Sequence, residues 1–155
     1  MKHNGKTSAR QQYRLERDQR VKESPPLSEK YRDLKSLKVR LAYCGPEGTP
    51  RGTEIKYDVN LDVARSVFSF DCPNVECIGG DFDLSDELAR AIRTRQKLAE
   101  GELSCQGWYR RATSEKADCR KLLRYTLTLE YYRRPAARKT AVAKQPGRRD
   151  SLVSR

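Results

Sequence analysis

The sequence predicts an α+β fold: an antiparallel sheet of four to five strands with one helix, cross-braced by cysteines and flanked by disordered basic tails. Three observations predict it. Several short stretches alternate apolar and polar residues as half-buried strands do. Four cysteines fall in two pairs far apart along the chain. The formal net charge of +12 is concentrated at the two ends: seven basic and three acidic side chains in residues 1–24, eight and one in residues 133–155, and a near balance of eighteen and seventeen between them. A chain of 155 residues suits one domain, and the reading places it at residues 25–132.

Residues 1–24 offer only Tyr13, Leu15 and Val21 as sizeable apolar groups after the initiator. Arg10 to Lys22 can form a polar helix on a partner, but alone it has too little apolar surface to offset its ordering entropy. The segment is therefore expected to be disordered up to Pro25-Pro26. Next, Val39, Leu41 and Tyr43 alternate with polar residues, as do Ile55, Tyr57, Val59 and Leu61. The Gly- and Pro-rich stretch 44–52 between them predicts a β-hairpin with a long loop. Val67-Phe68-Ser69-Phe70 reads as a short strand entering a cysteine turn.

One helix is predicted from about Leu84 to Ala99. Asp83 or Ser85 can cap it, Asp86 and Glu87 suit the positive end of its dipole, and Gly101 would sit just past its end. Leu84, Leu88, Ala91, Ile92, Leu98 and Ala99 share one side, and Arg90, Arg93 and Lys97 the other. Arg95 falls on the apolar side and must find a partner. Leu103 to Trp108 is a further candidate strand. The clearest strand carries Leu123, Tyr125, Leu127, Leu129 and Tyr131 on one face and Arg124, Thr126, Thr128 and Glu130 on the other, as in an antiparallel sheet with one wet side. Residues 133–155, with Pro135, Pro146 and Gly147 among scattered cations, read as a second disordered tail.

Cys72-Pro73-Asn74-Val75-Glu76-Cys77 is a turn able to bring two sulfurs together, and Gly79-Gly80 lets the backbone fold back. Cys105 and Cys119 follow, thirteen residues apart. The only histidine is His3, so the body offers a four-cysteine site, Cys72, Cys77, Cys105 and Cys119, or none. Zinc suits four thiolates in a closed, structural tetrahedral shell. Unligated thiols, a redox switch and an iron–sulfur cluster are the alternatives. Cys44, in the hairpin loop, is read as a bystander.

The cysteine turn and the later pair resemble zinc-ribbon-like small bacterial proteins, in which cysteine turns staple a β-sheet. The likeness covers residues 72–119 and departs from the usual ribbon in its x4 spacing and its long second gap. It implies a binding module for nucleic acid or protein.

Trp108-Tyr109-Arg110-Arg111 and Tyr131-Tyr132-Arg133-Arg134 repeat two aromatics followed by two arginines. Rings can stack on bases while arginines meet phosphates; the plainer reading makes them strand residues and strand ends. With Arg90, Arg93, Lys97, and Arg138 and Lys139 of the tail, these segments (Tyr132 from the second) form the candidate nucleic-acid contacts. The expected partner is a nucleic acid or a nucleoprotein assembly, with an acidic protein surface as the alternative and no small-molecule substrate.

No catalytic residue is assigned. The body has no histidine for a nucleophile–base pair, and the chain carries neither a P-loop nor a dinucleotide fingerprint. Asp81 and Asp83 make a D-x-D that can hold Mg²⁺, but turns and capping explain them better. No apolar run approaches the ~20 residues of a membrane-spanning helix, and the first residues lack the apolar core of a signal peptide. The expected location is the reducing cytoplasm, where cysteines serve as ligands or thiols.

Overall fold

Alternating residues require a two-faced sheet, and the computed structural model, which describes residues 8–45 and 54–134, contains one. β1 (Leu34–Cys44), β2 (Ile55–Asp58), β5 (Leu98–Ser104) and β8 (Leu122–Tyr131) lie in the order β2-β1-β8-β5, every neighbouring pair antiparallel. β1 and β8 form the centre, with Leu37 opposite Leu129, Val39 opposite Leu127 and Leu41 opposite Tyr125. All six are buried on one face, joined by Leu123. An irregularity between Leu34 and Ser36 lets both Leu34 and Leu37 turn inward, which strict alternation forbids. The other face is wet, with Arg124 paired to Glu102 at 3.0 Å and Arg40 to Glu54 at 3.3 Å. The hairpin expected of β1 and β2 is present; the strand predicted to Leu61 ends at Asp58.

Two small sheets complete the β structure: β3 (Ser69–Asp71) with β4 (Asp81–Asp83), and β6 (Trp108–Arg110) with β7 (Lys116–Asp118). Phe70 opposite Phe82 ties the first to the core, where Phe82 is buried. Among the described residues, no helix is long and apolar enough to cross a membrane.

The predicted helix is shorter than its periodicity suggests. α3 (Ser85–Arg93) buries Leu88, Ala91 and Ile92, with Asp83 accepting the Ser85 N–H at its start. It stops because Arg95 turns left-handed (φ 50°), so that its N–H reaches the Ile92 carbonyl and that of Gln96 the Ala91 carbonyl. A non-glycine residue tolerates this position through its side chain. The Arg95 guanidinium bonds Asp33 at 2.6 Å and lies 4.6 Å from the Tyr131 ring centroid, and the Tyr131 hydroxyl donates to the Gln96 carbonyl at 2.7 Å. Leu98 and Ala99 therefore belong to β5. Gly101 is likewise no helix terminus: it pairs with Tyr125, and a Cβ there would press into the phenol, 2.7 Å from Cζ.

Tyr125 makes an alkaline prediction. Burial, and then its 3.0 Å bond to Glu87, push its hydroxyl up to about 12. The unfolded value is about 10, so its contribution to stability is intact below pH 10 and is lost as pH rises through 12. Urea unfolding at pH 9 and pH 11 should show a smaller loss for Tyr125→Phe than for the natural chain; equal losses would remove Tyr125 as the cause.

The first tail is corrected in part. Ala9–Glu23 forms a helix, α1, capped by reciprocal bonds between Ser8 and Gln11. The short α2 (Leu27–Lys30) follows Pro25-Pro26, anchored by buried Leu27. The disorder expected of residues 1–7 and 135–155 lies outside the described residues.

Candidate metal centre

Each cysteine pair sits on a hairpin. Cys72 and Cys77 lie in the connection between β3 and β4, where Asn74 shapes the turn: its carbonyl accepts the Cys77 N–H at 3.1 Å and its side chain the Glu76 N–H at 3.1 Å. Cys105 and Cys119 flank the β6–β7 hairpin. The thirteen-residue gap is thus a hairpin that goes out and returns, and the Cys119 N–H closes it on the Gly107 carbonyl at 2.9 Å.

The hairpins join at Ile78 and Trp108, which exchange backbone bonds of 2.7 and 3.0 Å. That bridge brings the four sulfurs together. One Sγ from each of Cys72, Cys77, Cys105 and Cys119 lies within 4.8 Å of the others, and all four residues are buried. Cys72 to Cys119 and Cys77 to Cys105 are each 3.6 Å. The predicted ligand set therefore converges, and it can hold a metal ion. Cys44 stands outside the cluster, its thiol 3.6 Å from the Ala42 carbonyl.

The electrostatics of the bare thiols favour a cation. The Cys105 thiol is pulled down to about 6 by the neighbouring Cys72 thiol, against the effect of burial, and by the Gly107 N–H at 3.4 Å from its sulfur. The proximity of Cys105 pushes Cys72 far up, with burial adding to it. Burial, then the contact with Cys105, pushes Cys77 up to about 12. One thiolate is stabilised by its neighbours' protons; ionising all four needs a positive ion.

Two glycines make the room. A Cβ on Gly80 would overlap the sulfurs of Cys105 and Cys77; one on Gly107 would overlap the sulfur of Cys77 and lie 2.7 Å from the Gly80 Cα. The signal was in the sequence, since Gly80 follows Cys77 by three residues and Gly107 follows Cys105 by two.

Compared with protein-family models, with curated proteins and with solved structures, the chain matches none.

The predicted nucleic-acid contacts do not form one surface by the expected route. Arg90 and Arg93 lie on α3, Arg90 paired with Glu87, whereas Lys97 lies beyond the left-handed turn, just before β5, so the helical stripe is broken. Trp108, Tyr109 and Arg110 form β6, with Arg111 in the turn after it. Tyr109 packs on the core; Arg110 and Lys116 lie 5.6 and 4.6 Å from the Trp108 ring centroid. Sequence reasoning missed Lys116, which the β6–β7 pairing places opposite Arg110. The echo at 131–134 is divided. Tyr131 fastens the end of α3, while Tyr132, Arg133 and Arg134 are exposed. Arg138 and Lys139 lie outside the described residues. Asp81 and Asp83 are occupied structurally: Asp81 accepts from Ser69 at 2.8 Å and Tyr13 at 3.3 Å, and Asp83 caps α3.

Proposed function

We propose that the chain is a non-enzymatic, zinc-stabilised accessory protein of the cytoplasm that binds nucleic acid through a zinc-ribbon-like lobe. Four buried thiols suit zinc in a closed shell, which leaves no open coordination position for a substrate. The observation that carries the binding reading is the hairpin held by that centre. It presents Trp108 with Arg110 and Lys116 against its ring, beside exposed Arg111, on a chain of net charge +12. Guanidinium and ammonium groups meet phosphates, and a guanidinium plane can itself stack on an unpaired base.

A second reading, an adaptor on an acidic protein surface, is favoured by one detail. Arg110 and Lys116 already cover the Trp108 ring, so a partner meets the cations first.

The test is fluorescence anisotropy with labelled mixed-sequence single-stranded RNA and DNA. Affinity is expected to fall by about 300-fold or more between 50 and 200 mM salt if six or more phosphates are neutralised, at the slope of about −0.7 per phosphate of single strands. Arg110→Ala with Lys116→Ala should weaken binding to all sequences and lower the salt slope by about 1.4 on these single strands. Absence of retention on either polymer at 50 mM salt defeats the nucleic-acid reading. A pulled-down partner that survives nuclease treatment would favour the adaptor.

A further inference from the structure

The geometry points to α1 as a strap that the loaded metal centre holds in place, so that metal occupancy controls whether this basic helix is docked or free. The inference rests on the metal reading above but not on nucleic-acid binding.

α1 cannot hold itself down by apolar burial. None of its residues is buried, and its one leucine, Leu15, faces solvent at 61% exposure. A helix of 15 residues is marginal alone in water. Its protein-facing stripe is Arg10, Tyr13, Arg17 and Val21, and the first three of these meet one segment. Arg10 donates to the Asn74 carbonyl at 3.5 Å, the Tyr13 hydroxyl to Asp81 at 3.3 Å, and Arg17 is paired with Asp71. The Tyr13 ring lies over Gly79, where an added Cβ would be 3.8 Å away. Every one of these partners lies in residues 71–81, the segment that carries Cys72 and Cys77.

The other end of α1 is tied elsewhere. Ser24 accepts the Val67 N–H at 3.2 Å, and Arg65 donates to the Ser24 carbonyl at 3.2 Å. Pro25 and Pro26 follow. The helix is thus pivoted at Ser24 and latched at the cysteine loop.

A ligand shifts such an equilibrium only if it favours one state, and here two effects favour docking. Ligation of Cys72 and Cys77 fixes the loop that supplies the latch. A divalent ion in four thiolates is also a dianionic group, and Arg10 and Arg14 of α1 line the narrow gap that Cys72 and Cys77 share with Gly79 and Gly80. When the metal leaves, the latch loses both its shape and its charge. The cations of α1, Arg10 to Lys22, become available to an acidic partner.

Limited trypsin digestion of the full chain tests this, with cleavage after Arg14 and Arg20 followed by mass spectrometry and zinc content by emission spectroscopy. Chelation should speed cleavage at both sites at least tenfold. Arg17→Ala should speed it severalfold while one zinc per chain is retained, a result that general unfolding cannot produce. Exchanging the charges, with Arg17→Asp and Asp71→Arg together, should restore protection. A chain that binds no zinc overturns the metal reading and the strap with it. A zinc-loaded chain whose α1 is cut equally fast with and without Arg17 overturns the strap alone.

Discussion

Cys77→Ser is expected to empty the metal centre and unravel the cysteine lobe, whereas Cys44→Ser leaves both unchanged. The Cys77 sulfur is 3.6 Å from that of Cys105 and stands within the four-thiol cluster; the Cys44 sulfur stands outside it. Structural zinc in isolated finger peptides binds with an apparent ~10–16 kcal/mol, much of it expended in folding. Apart from Phe82, Phe70 and Tyr109, which reach the core, the lobe has little else to organise it. β3, β4, β6 and β7 have three residues each, and a single backbone bridge joins the two hairpins. The natural chain should carry one zinc, and the Cys77 variant less than about a tenth of that. Trp108 reports the change, because it forms the bridge to Ile78; its fluorescence should shift on chelation and in Cys77→Ser alike. Zinc affinity should also fall as pH falls, since ligation displaces protons from thiols such as Cys77, held up to about 12 by burial. Full zinc content in Cys77→Ser would refute the ligand set.

Gly107→Ala is expected to weaken metal binding by about tenfold although all four thiols remain. The added methyl would overlap the Cys77 sulfur and lie 2.7 Å from both the Cα and the N of Gly80. Two of these three neighbours are backbone atoms that cannot swing aside, and the third is a candidate ligand atom whose place a bound metal would fix. Forcing one methyl into a packed site costs about 1–3 kcal/mol, and about 1.4 kcal/mol already corresponds to tenfold. The sulfur must move, so the loss appears in metal affinity as well as in stability. Competition against a chromophoric chelator measures it. Unaltered affinity in Gly107→Ala would mean that the glycine pair does not shape the floor of the site.

Much of the sheet was legible because strand alternation is local. The apolar set of β8 and the pairing of β1 with β2 could be read from neighbouring residues alone. The helix end was not, because Ala99 fits a helical period and, with Gly101 and Leu103, a strand period equally, whereas Leu98, predicted on the apolar side, is exposed; contacts of Arg95 with Asp33 and Tyr131 hold the turn that ends the helix. Gly101 misled for the same reason: a glycine after a helix and a glycine beneath a tyrosine look identical in sequence.

By itself the sequence singled out four candidate thiols, since thiol chemistry and the absence of any body histidine are properties of residue type. The convergence of those thiols, the glycine floor beneath them and the seating of α1 were decided only by tertiary structure. The physical reason is the range of the contacts. Arg17 finds Asp71 across 54 positions and Cys72 finds Cys119 across 47, and a polar helix that docks through one ion pair and hydrogen bonds carries no apolar period to announce its partner.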